Sequence, residues 1–342
     1  MEFSKKLVAF KAIYSKDFGE KTWVESIISK WNVGETEYVL TTSGSTGLPK
    51  SIKIKREILV WSANATKQSL TLDTEVTFCC LPTQKTGGFM QIIRALHFGW
   101  KIYFENPTAN PFSQFTNREC SFTSLTPFQL ESILDGNADA LSKFRNVLIG
   151  GAPISKTLLK KLVEWNSQNM QTVFWETYGM TETASHIALK NLSVGETVFK
   201  PQNGVEIGAK DEKLWVQIKE CNLVEITNDL VAISADGFEI LGRADNVINT
   251  GGVKVHPEIL EPKITEVLDS MGIKRSLYIT AKQDEMLGQK VVLVMQGAAI
   301  KDEAFVLEML KRDLPNYMSP KEIIYTPKID FTETGKIIRK IV

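Results

Sequence analysis

Ten residues near the start of the chain, Thr41-Thr42-Ser43-Gly44-Ser45-Thr46-Gly47-Leu48-Pro49-Lys50, concentrate hydroxyls, two glycines and a lysine. Such a stretch cannot fill a core. Glycine lets the main chain approach a ligand closely. Successive backbone N–H groups in a turn of this kind form a concavity for an anion, with hydroxyls and an ammonium as further donors. The chemistry indicated is phosphate binding. It is not a Walker A loop, because Pro49 stands where the second glycine should precede the lysine. An ordinary polar turn, the other reading, seldom carries so many donors together with a lysine. Three further places could do chemistry. Gly150-Gly151-Ala152-Pro153 would let a flat adenine or an acyl group lie against backbone, or would only pack a helix. Lys85, beside Gly87-Gly88 and apolar Phe89 and Met90, could pair with a carboxylate, or could be a solvated loop lysine. Lys336 ends Thr332-Glu333-Thr334-Gly335-Lys336, by composition an exposed turn.

These residues need elements to place them. The phosphate loop lies between the strand-like Tyr38-Val39-Leu40 and the alternating Ile52-Lys53-Ile54-Lys55. Residues 1 to 37 read as a short leader with one helix, Trp23, Ile27, Ile28 and Trp31 recurring at helical spacing before Gly34. A helix is expected over 58–72. A short buried strand, Val76 to Leu81, closes at Pro82, and the segment Thr83 to Met90 opens a helix that runs to about His97. Strands follow at Trp100–Phe104, Ser121–Thr126 (entering a helix at Pro127) and Asn146–Ile149. Strand, glycine turn and helix in that order put Gly150 at the carboxyl end of a parallel strand, where open α/β sheets bind ligands. Residues 216–236 alternate as a β-rich meander, and from Pro257 the pattern resets to a small α+β unit. The fold class expected is α/β: a large N-terminal α/β domain with a β-rich segment at its end, plus a small C-terminal α+β domain joined by a hinge.

Four stretches in order, Thr42 to Lys50, Tyr178-Gly179-Met180-Thr181-Glu182-Thr183, Gly242-Arg243-Ala244-Asp245 and Thr332 to Lys336, resemble the signatures of the adenylate-forming enzymes. That superfamily holds acyl-CoA synthetases, adenylation domains of nonribosomal peptide synthetases, and luciferases. The resemblance implies a large domain over 1–244 that binds ATP and the acid, a mobile small domain over 245–342, and Asp245 as hinge. It implies that Thr42, Ser43, Gly44, Ser45, Thr46, Gly47 and Lys50 hold the phosphates. Gly151, Ala152, Tyr178, Asp229 and Arg243 would hold the nucleoside, with Tyr178 stacked on adenine and Asp229 accepting the ribose hydroxyls. Lys85, Gly87, Gly88, Gly150 and Gly179 would line the acyl pocket, and Gly251 and Gly252 would form the loop that admits the thiol. Thr181 would touch phosphate and Glu182 would hold Mg2+, a hard cation that takes a carboxylate together with phosphate oxygens. Lys336 would bridge substrate and phosphate oxygens as the catalytic lysine. Two positions depart from the usual pattern: Ser51 follows Lys50 where glycine is customary, and Asn228 replaces the glycine of Thr-Gly-Asp. The activity implied is ligation of a carboxylic acid, kept in reach by Lys85 if it bears a second carboxylate, first to AMP and then to coenzyme A. A separate carrier protein as acceptor and a non-catalytic nucleotide-binding relative are the alternatives.

The bulk numbers bound the rest. With 342 residues, 43% hydrophobic and 23% charged, the chain is an ordinary globular one with room for two domains. Lys plus Arg and Asp plus Glu balance at 40 each, so no global field favours nucleic acid or an anionic membrane. No apolar run approaches the ~20 residues of a membrane span, and no signal-peptide stretch opens the sequence. Cys79, Cys80, Cys120 and Cys221 lack metal-ligand spacing and fit reduced thiols of a cytoplasmic protein.

Overall fold

The computed structural model describes residues 10–42, 50–73, 76–113, 120–315, 317–331 and 337–340. Its contacts divide the chain into two compact units, residues 1–207 with 216–225, and 208–215 with 226–342.

The first unit is built on strands β1 (Lys11–Tyr14), β2 (Glu37–Thr42), β3 (Lys50–Lys55), β4 (Val76–Cys79), β5 (Lys101–Phe104), β6 (Phe122–Leu125), β7 (Asn146–Ile149), β8 (Val173–Gly179), β9 (His186–Asn191) and β10 (Lys200–Pro201). Helices α1 (Lys21–Asn32), α2 (Arg56–Ser69), α3 (Thr86–Phe98), α4 (Pro127–Gly136) and α5 (Lys156–Gln168) alternate with them. Eight strands form one sheet in the order β1–β5–β4–β6–β7–β8–β9–β10. The first six are parallel to their neighbours, while β9 and β10 run antiparallel. Parallel strands are covered on both faces and so read as short apolar runs; β6 is buried at every position. Phe78, Phe112, Leu125, Phe144, Ile149 and Phe174 meet in the core beneath the sheet. The helices start where the sequence can cap them. Thr126 and Gln129 form a reciprocal capping box with Pro127 at the first position of α4, and Ser155 caps α5. A separate antiparallel hairpin, β2–β3, pairs Thr42 with Lys50 across the phosphate loop.

Strands β1 and β9 are among those not visible in the sequence. Residues 1–37 hold more than one helix: Lys11–Tyr14 is an edge strand parallel to β5, with Tyr14 stacked on Phe104 at 5.2 Å. An edge strand mixes charged and apolar residues, which hides its period. His186–Asn191 follows the Tyr-Gly-Met-Thr-Glu motif as a buried strand, too short and too polar at its start to stand out.

Strands β11 (Val205–Lys210), β12 (Lys213–Ile218), β13 (Leu223–Ser234) and β14 (Gly237–Arg243) form a four-stranded sheet in that order and contribute residues to both units. The second unit continues with β15 (Ile248–Thr250), β16 (Val253–Val255), α6 (Pro257–Ser270), β17 (Leu277–Asp284), β18 (Gly288–Gln296), α7 (Glu303–Asp313) and β19 (Glu322–Thr326). Its own sheet has the order β16–β15–β18–β17, with β19 parallel on β18. Pro257 opens α6, and Leu260, Ile264 and Leu268 recur every four residues to bury one stripe against Ile279, Leu293, Val306 and Leu310. The second unit begins before the hinge expected at Asp245: β13 pairs with β14 from Asp229–Arg243 to Ser234–Gly237, and the carboxylate of Glu258 on α6 lies against Gly242 of β14. No helix among the described residues is long and apolar enough to cross a membrane.

Candidate functional site

In the first unit the parallel registers of β4, β6, β7 and β8 bring their carboxyl ends to one edge of the sheet. Lys85, Gly87, Gly88, Gly150, Gly151, Ala152, Tyr178, Gly179, Thr181 and Glu182 lie at or just beyond that edge. After β7 come Gly150, Gly151 and Ala152. A Cβ on Gly150 would lie 2.3 Å from the Thr177 hydroxyl of β8, which itself donates to the Ile149 carbonyl at 3.1 Å. Glycine is therefore imposed by that close approach, and Gly151 adopts φ +92°, open only to glycine at low cost.

The turn between β8 and β9 is the tightest part of the site. A Cβ on Gly179 would meet the Ser185 carbonyl oxygen at 2.2 Å, so no other residue fits there. The Thr183 hydroxyl donates to the carbonyls of Met180 and Ser185 and accepts the Met180 N–H, which fixes the loop holding Thr181 and Glu182. Thr181 Oγ1 lies 2.9 Å from Thr86 Oγ1, at the first residue of α3. The motif turn is thereby tied to the helix that follows Lys85 and holds Gly87 and Gly88 in its first turn. Lys85 is half-buried at the N-cap of α3, and its N–H donates to the Pro82 carbonyl. Tyr178 is 8% exposed, and its ring lies 5.9 Å from that of Phe199. Glu182 is half-exposed. Burial, and then the charge of Glu182, raise the carboxyl pKa of Glu225, so a second carboxylate feels the first. Among the described residues no group of three His, Cys, Asp or Glu forms a closed metal cage. One carboxylate with open positions is the donor set Mg2+ takes alongside phosphate oxygens, so the residues fit that ion.

Sequence reasoning missed Arg94. It lies in the middle of α3, 2% exposed, among Phe89, Met90, Ile92, Ile93 and Ala95. Its Nη2 donates to Ser185 Oγ at 2.9 Å, its Nε has no partner, and no carboxylate pairs with it among the described residues. Burial pulls its pKa down to about 9, which leaves it cationic at neutral pH. Ser185 Oγ also lies 3.2 Å from His186 Nδ1, and His186 Nε2 lies 3.2 Å from Thr66 Oγ1. Burial first, and then Arg94, push His186 well below its ordinary pKa, so it stays neutral. His186 is itself buried. The signal for Arg94 was present as the lone charge in Phe89-Met90-Gln91-Ile92-Ile93-Arg94-Ala95-Leu96.

In the second unit, Asp229 Oδ1 accepts from Arg243 Nη1 at 3.1 Å, and Asp245 Oδ2 accepts from Arg243 Nη2 at 2.8 Å. Partial burial opposes the Arg243 charge, but Asp245 and Asp229 outweigh it and hold the guanidinium protonated. Asn228 lies inside β13 without a positive φ, so the position needs no glycine. Gly251 and Gly252 form the exposed turn of the β15–β16 hairpin, at φ +55° and +82°. Of the expected phosphate ligands, Thr42 and Lys50 end the paired strands β2 and β3; Ser43, Gly44, Ser45, Thr46 and Gly47 lie outside the described residues, as does Lys336.

The AMP-binding enzyme family matches residues 12–214. The 2-succinylbenzoate–CoA ligase of Listeria monocytogenes serotype 4b (strain F2365) is 26% identical over 340 residues, covering 92% of this chain and 71% of its own length. That of Bacillus cytotoxicus is 24% identical over 359 residues, covering 92% and 71%. Among solved structures, an acyl-CoA synthetase (AMP-forming)/AMP-acid ligase II-like protein from Dyadobacter fermentans is 32% identical, with a TM-score of 0.60 over 92% of this chain and 91% of that one. The O-succinylbenzoate coenzyme A synthetase of Bacillus subtilis, in complex with ATP and magnesium ion, shares the fold at a TM-score of 0.75 and 20% identity, over 88% and 68%. With well over half of its length matched, and the motif turn, the glycine turn after β7 and the parallel sheet edge in the arrangement described above, the chain belongs to the AMP-binding enzyme family.

Proposed function

We propose that this protein is an AMP-forming acid–thiol ligase acting on 2-succinylbenzoate, ATP and coenzyme A, in the cytoplasm. A carboxylate oxygen of the acid attacks the α-phosphorus of ATP and pyrophosphate leaves; the thiol of coenzyme A then attacks the acyl carbon, AMP leaves with the bonding pair, and the thiol proton is lost to solvent. Catalysis of the first step is positioning and charge stabilisation, with no nucleophilic side chain required. Donors from Thr42 to Lys50 cradle the phosphates, Thr181 touches them, and Glu182 holds Mg2+, which when bound neutralises charge developing on the phosphate oxygens. Tyr178 with Gly151 and Ala152 receives adenine, Asp229 the ribose hydroxyls and Arg243 the nucleotide. Lys336 bridges the acid and phosphate oxygens, and movement about Asp245 then presents Gly251 and Gly252 to the thiol.

The observation that carries the choice of acid is Arg94. A buried guanidinium costs several kcal/mol when its only partner among the described residues is a neutral hydroxyl. An acid with a second, unactivated carboxylate supplies the missing charge, directly or through Ser185, and 2-succinylbenzoate is such an acid. The names of the curated relatives point the same way. Lys85, at the start of the same helix, is a second cation within the acyl pocket. Pyrophosphate release measured with ATP, coenzyme A and a panel of acids tests the reading. We expect 2-succinylbenzoate to be preferred over acetate, long-chain fatty acids and 4-oxo-4-phenylbutanoate, the analogue without the second carboxylate; preference for any of these rejects it.

A further inference from the structure

Thr86 and Thr181 come from distant parts of the first unit and meet hydroxyl to hydroxyl, Oγ1 to Oγ1 at 2.9 Å. Thr86 opens α3, and Thr181 lies in the turn between β8 and β9. The main chain of that turn is held from within. The Ala184 N–H donates to the Thr181 carbonyl at 2.9 Å, and the Thr183 hydroxyl donates to the carbonyls of Met180 and Ser185. Ala184, fully buried at φ +63°, sits in the left-handed region, which a residue with a side chain keeps only where its surroundings over-determine it. None of these bonds reaches the Thr181 side chain. Among the described residues, Thr86 is its one hydrogen-bond partner.

Thr86 is in turn placed by a loop with little freedom. Thr83 is fully buried, and its N–H and hydroxyl both donate to Glu20 Oε2, at 2.7 and 2.6 Å. A charged acceptor that takes two donors from one residue fixes that residue in position and rotation. The Pro82 carbonyl accepts the Lys85 N–H at 3.1 Å and lies so close to Gly88 that a Cβ there would approach it to 2.4 Å. The segment from Pro82 to Lys85 therefore presents Thr86 to the motif turn from a rigid base.

Two hydroxyls carry two protons, and their mutual contact uses one. In the ligand-free protein either oxygen can donate. An ionised phosphate oxygen has lone pairs and no proton, so it only accepts. With phosphate beside Thr181, the Thr181 O–H turns to the phosphate and the Thr86 O–H turns to Thr181. A hydroxyl that accepts while it donates is polarised and donates more strongly.

We propose that Thr86 is a positioning residue for the triphosphate: its hydroxyl sets the Thr181 side chain and donates to Thr181 Oγ1, which aims the Thr181 proton at phosphate. The inference rests on the reading of Thr181 given above, in which that residue touches the phosphates. Negative charge grows on the phosphate oxygens as pyrophosphate leaves, so a well-aimed donor acts on the rate more than on ATP binding.

Single-turnover pyrophosphate release from ATP with 2-succinylbenzoate tests this in the full chain. Thr86→Val keeps the shape and removes the hydroxyl, whereas Thr86→Ser keeps the hydroxyl. For Thr86→Val we expect the maximal rate to fall about fivefold, the reach of one ordinary hydrogen bond, with the half-saturating ATP concentration changed less than about twofold. Thr86→Ser should stay within about twofold of the parent. Thr181→Val should be slower than Thr86→Val, and the double variant no slower than Thr181→Val alone, because Thr86 acts through Thr181. No loss in Thr86→Val, no recovery in Thr86→Ser, a loss confined to ATP binding, or losses that multiply in the double variant overturn the inference. If Thr181→Val releases pyrophosphate at the parent rate, the reading of Thr181 falls and the positioning role with it. If Thr181→Val is slow while Thr86→Val is not, the positioning role alone is wrong.

Discussion

Each unit withdraws an arginine from water, Arg94 wholly and Arg339 in part, and the two are held in opposite ways. Arg94 has a serine hydroxyl, a neutral histidine nearby and no carboxylate among the described residues. Arg339 has Glu261 on two of its hydrogen bonds and Glu258 at 4.0 Å. Desolvating a guanidinium costs several kcal/mol in either place. The second unit offsets that cost with its own charges, and the first unit leaves it standing. A residue compensated by the chain is an anchor. A residue left uncompensated by the described residues, as Arg94 is, would be completed by the second carboxylate of the proposed acid.

The contrast predicts stability changes of opposite sign, and these are the largest effects expected. Arg339→Met leaves the half-buried Glu258 and Glu261 without their counter-charge and should destabilise the protein by up to about 3 kcal/mol. Arg94→Met removes a charge that has no counter-charge and substitutes a flexible apolar side chain into an apolar helix face. It should leave the ligand-free protein as stable as the parent or up to about 1–4 kcal/mol more stable. Urea unfolding of the full chain measures both. Destabilisation of similar size in both variants would erase the distinction.

Titration of Glu261 comes next. Burial raises its pKa from 4.5 to about 7, against the opposing pull of Arg339. A carboxyl whose folded pKa lies above its unfolded value binds its proton more tightly when folded. Its contribution to stability is therefore complete below pH 4.5 and is lost as pH rises through 7, with a span of roughly 3 kcal/mol. Glu261→Gln should flatten that slope, so that the stability of the parent falls relative to the variant between pH 5 and 8. A parallel pair of pH–stability curves would show that the arginine, not burial, governs the group.

These two arginines also mark what the sequence could and could not disclose. The Tyr178–Thr183 turn and Gly150-Gly151 are legible because backbone geometry dictates their residue types: a Cβ at Gly179 or Gly150 meets another atom at 2.2 or 2.3 Å, and only glycine escapes. Parallel strands β4 and β7 are legible because burial on both faces leaves mainly apolar runs. Strand β1 is not, since an edge strand keeps charged residues such as Lys11 on its open side. The polar clusters are harder still. Glu258, Glu261 and Arg339 are some eighty positions apart and look like ordinary helix and tail charges. Only tertiary pairing shows that they are largely buried together. Arg94 alone carried a local sign, a charge inside an apolar helical run, because nothing in its own segment balances it.

The same comparison has a catalytic form, with a smaller expected effect. If Arg94 waits for a carboxylate, Arg94→Met should lower kcat/KM for 2-succinylbenzoate about a hundredfold, near the ~2–3 kcal/mol typical of a hydrogen bond to a charged group. The rate with 4-oxo-4-phenylbutanoate should change less than threefold, since that acid has no second carboxylate to lose. Steady-state pyrophosphate release with the two acids reads the difference. Equal losses on both would mean that Arg94 supports the fold of the pocket without reading the acid.

Lys85 gives the smallest and most discriminating effect. It stands at the N-cap of α3, half-buried where Arg94 is enclosed, and an ion pair in contact with water contributes only about 0–1 kcal/mol. Lys85→Ala should therefore reduce kcat/KM for 2-succinylbenzoate by less than about fivefold and leave the monoacid unchanged. Because solvent screens this position, raising the salt concentration should weaken even that small loss, while the Arg94→Met loss should not respond to salt. A larger loss at Lys85 than at Arg94, or a salt-sensitive loss at Arg94, would move the second carboxylate to the start of the helix. The buried guanidinium would then be a cost of the fold with no ligand to answer it.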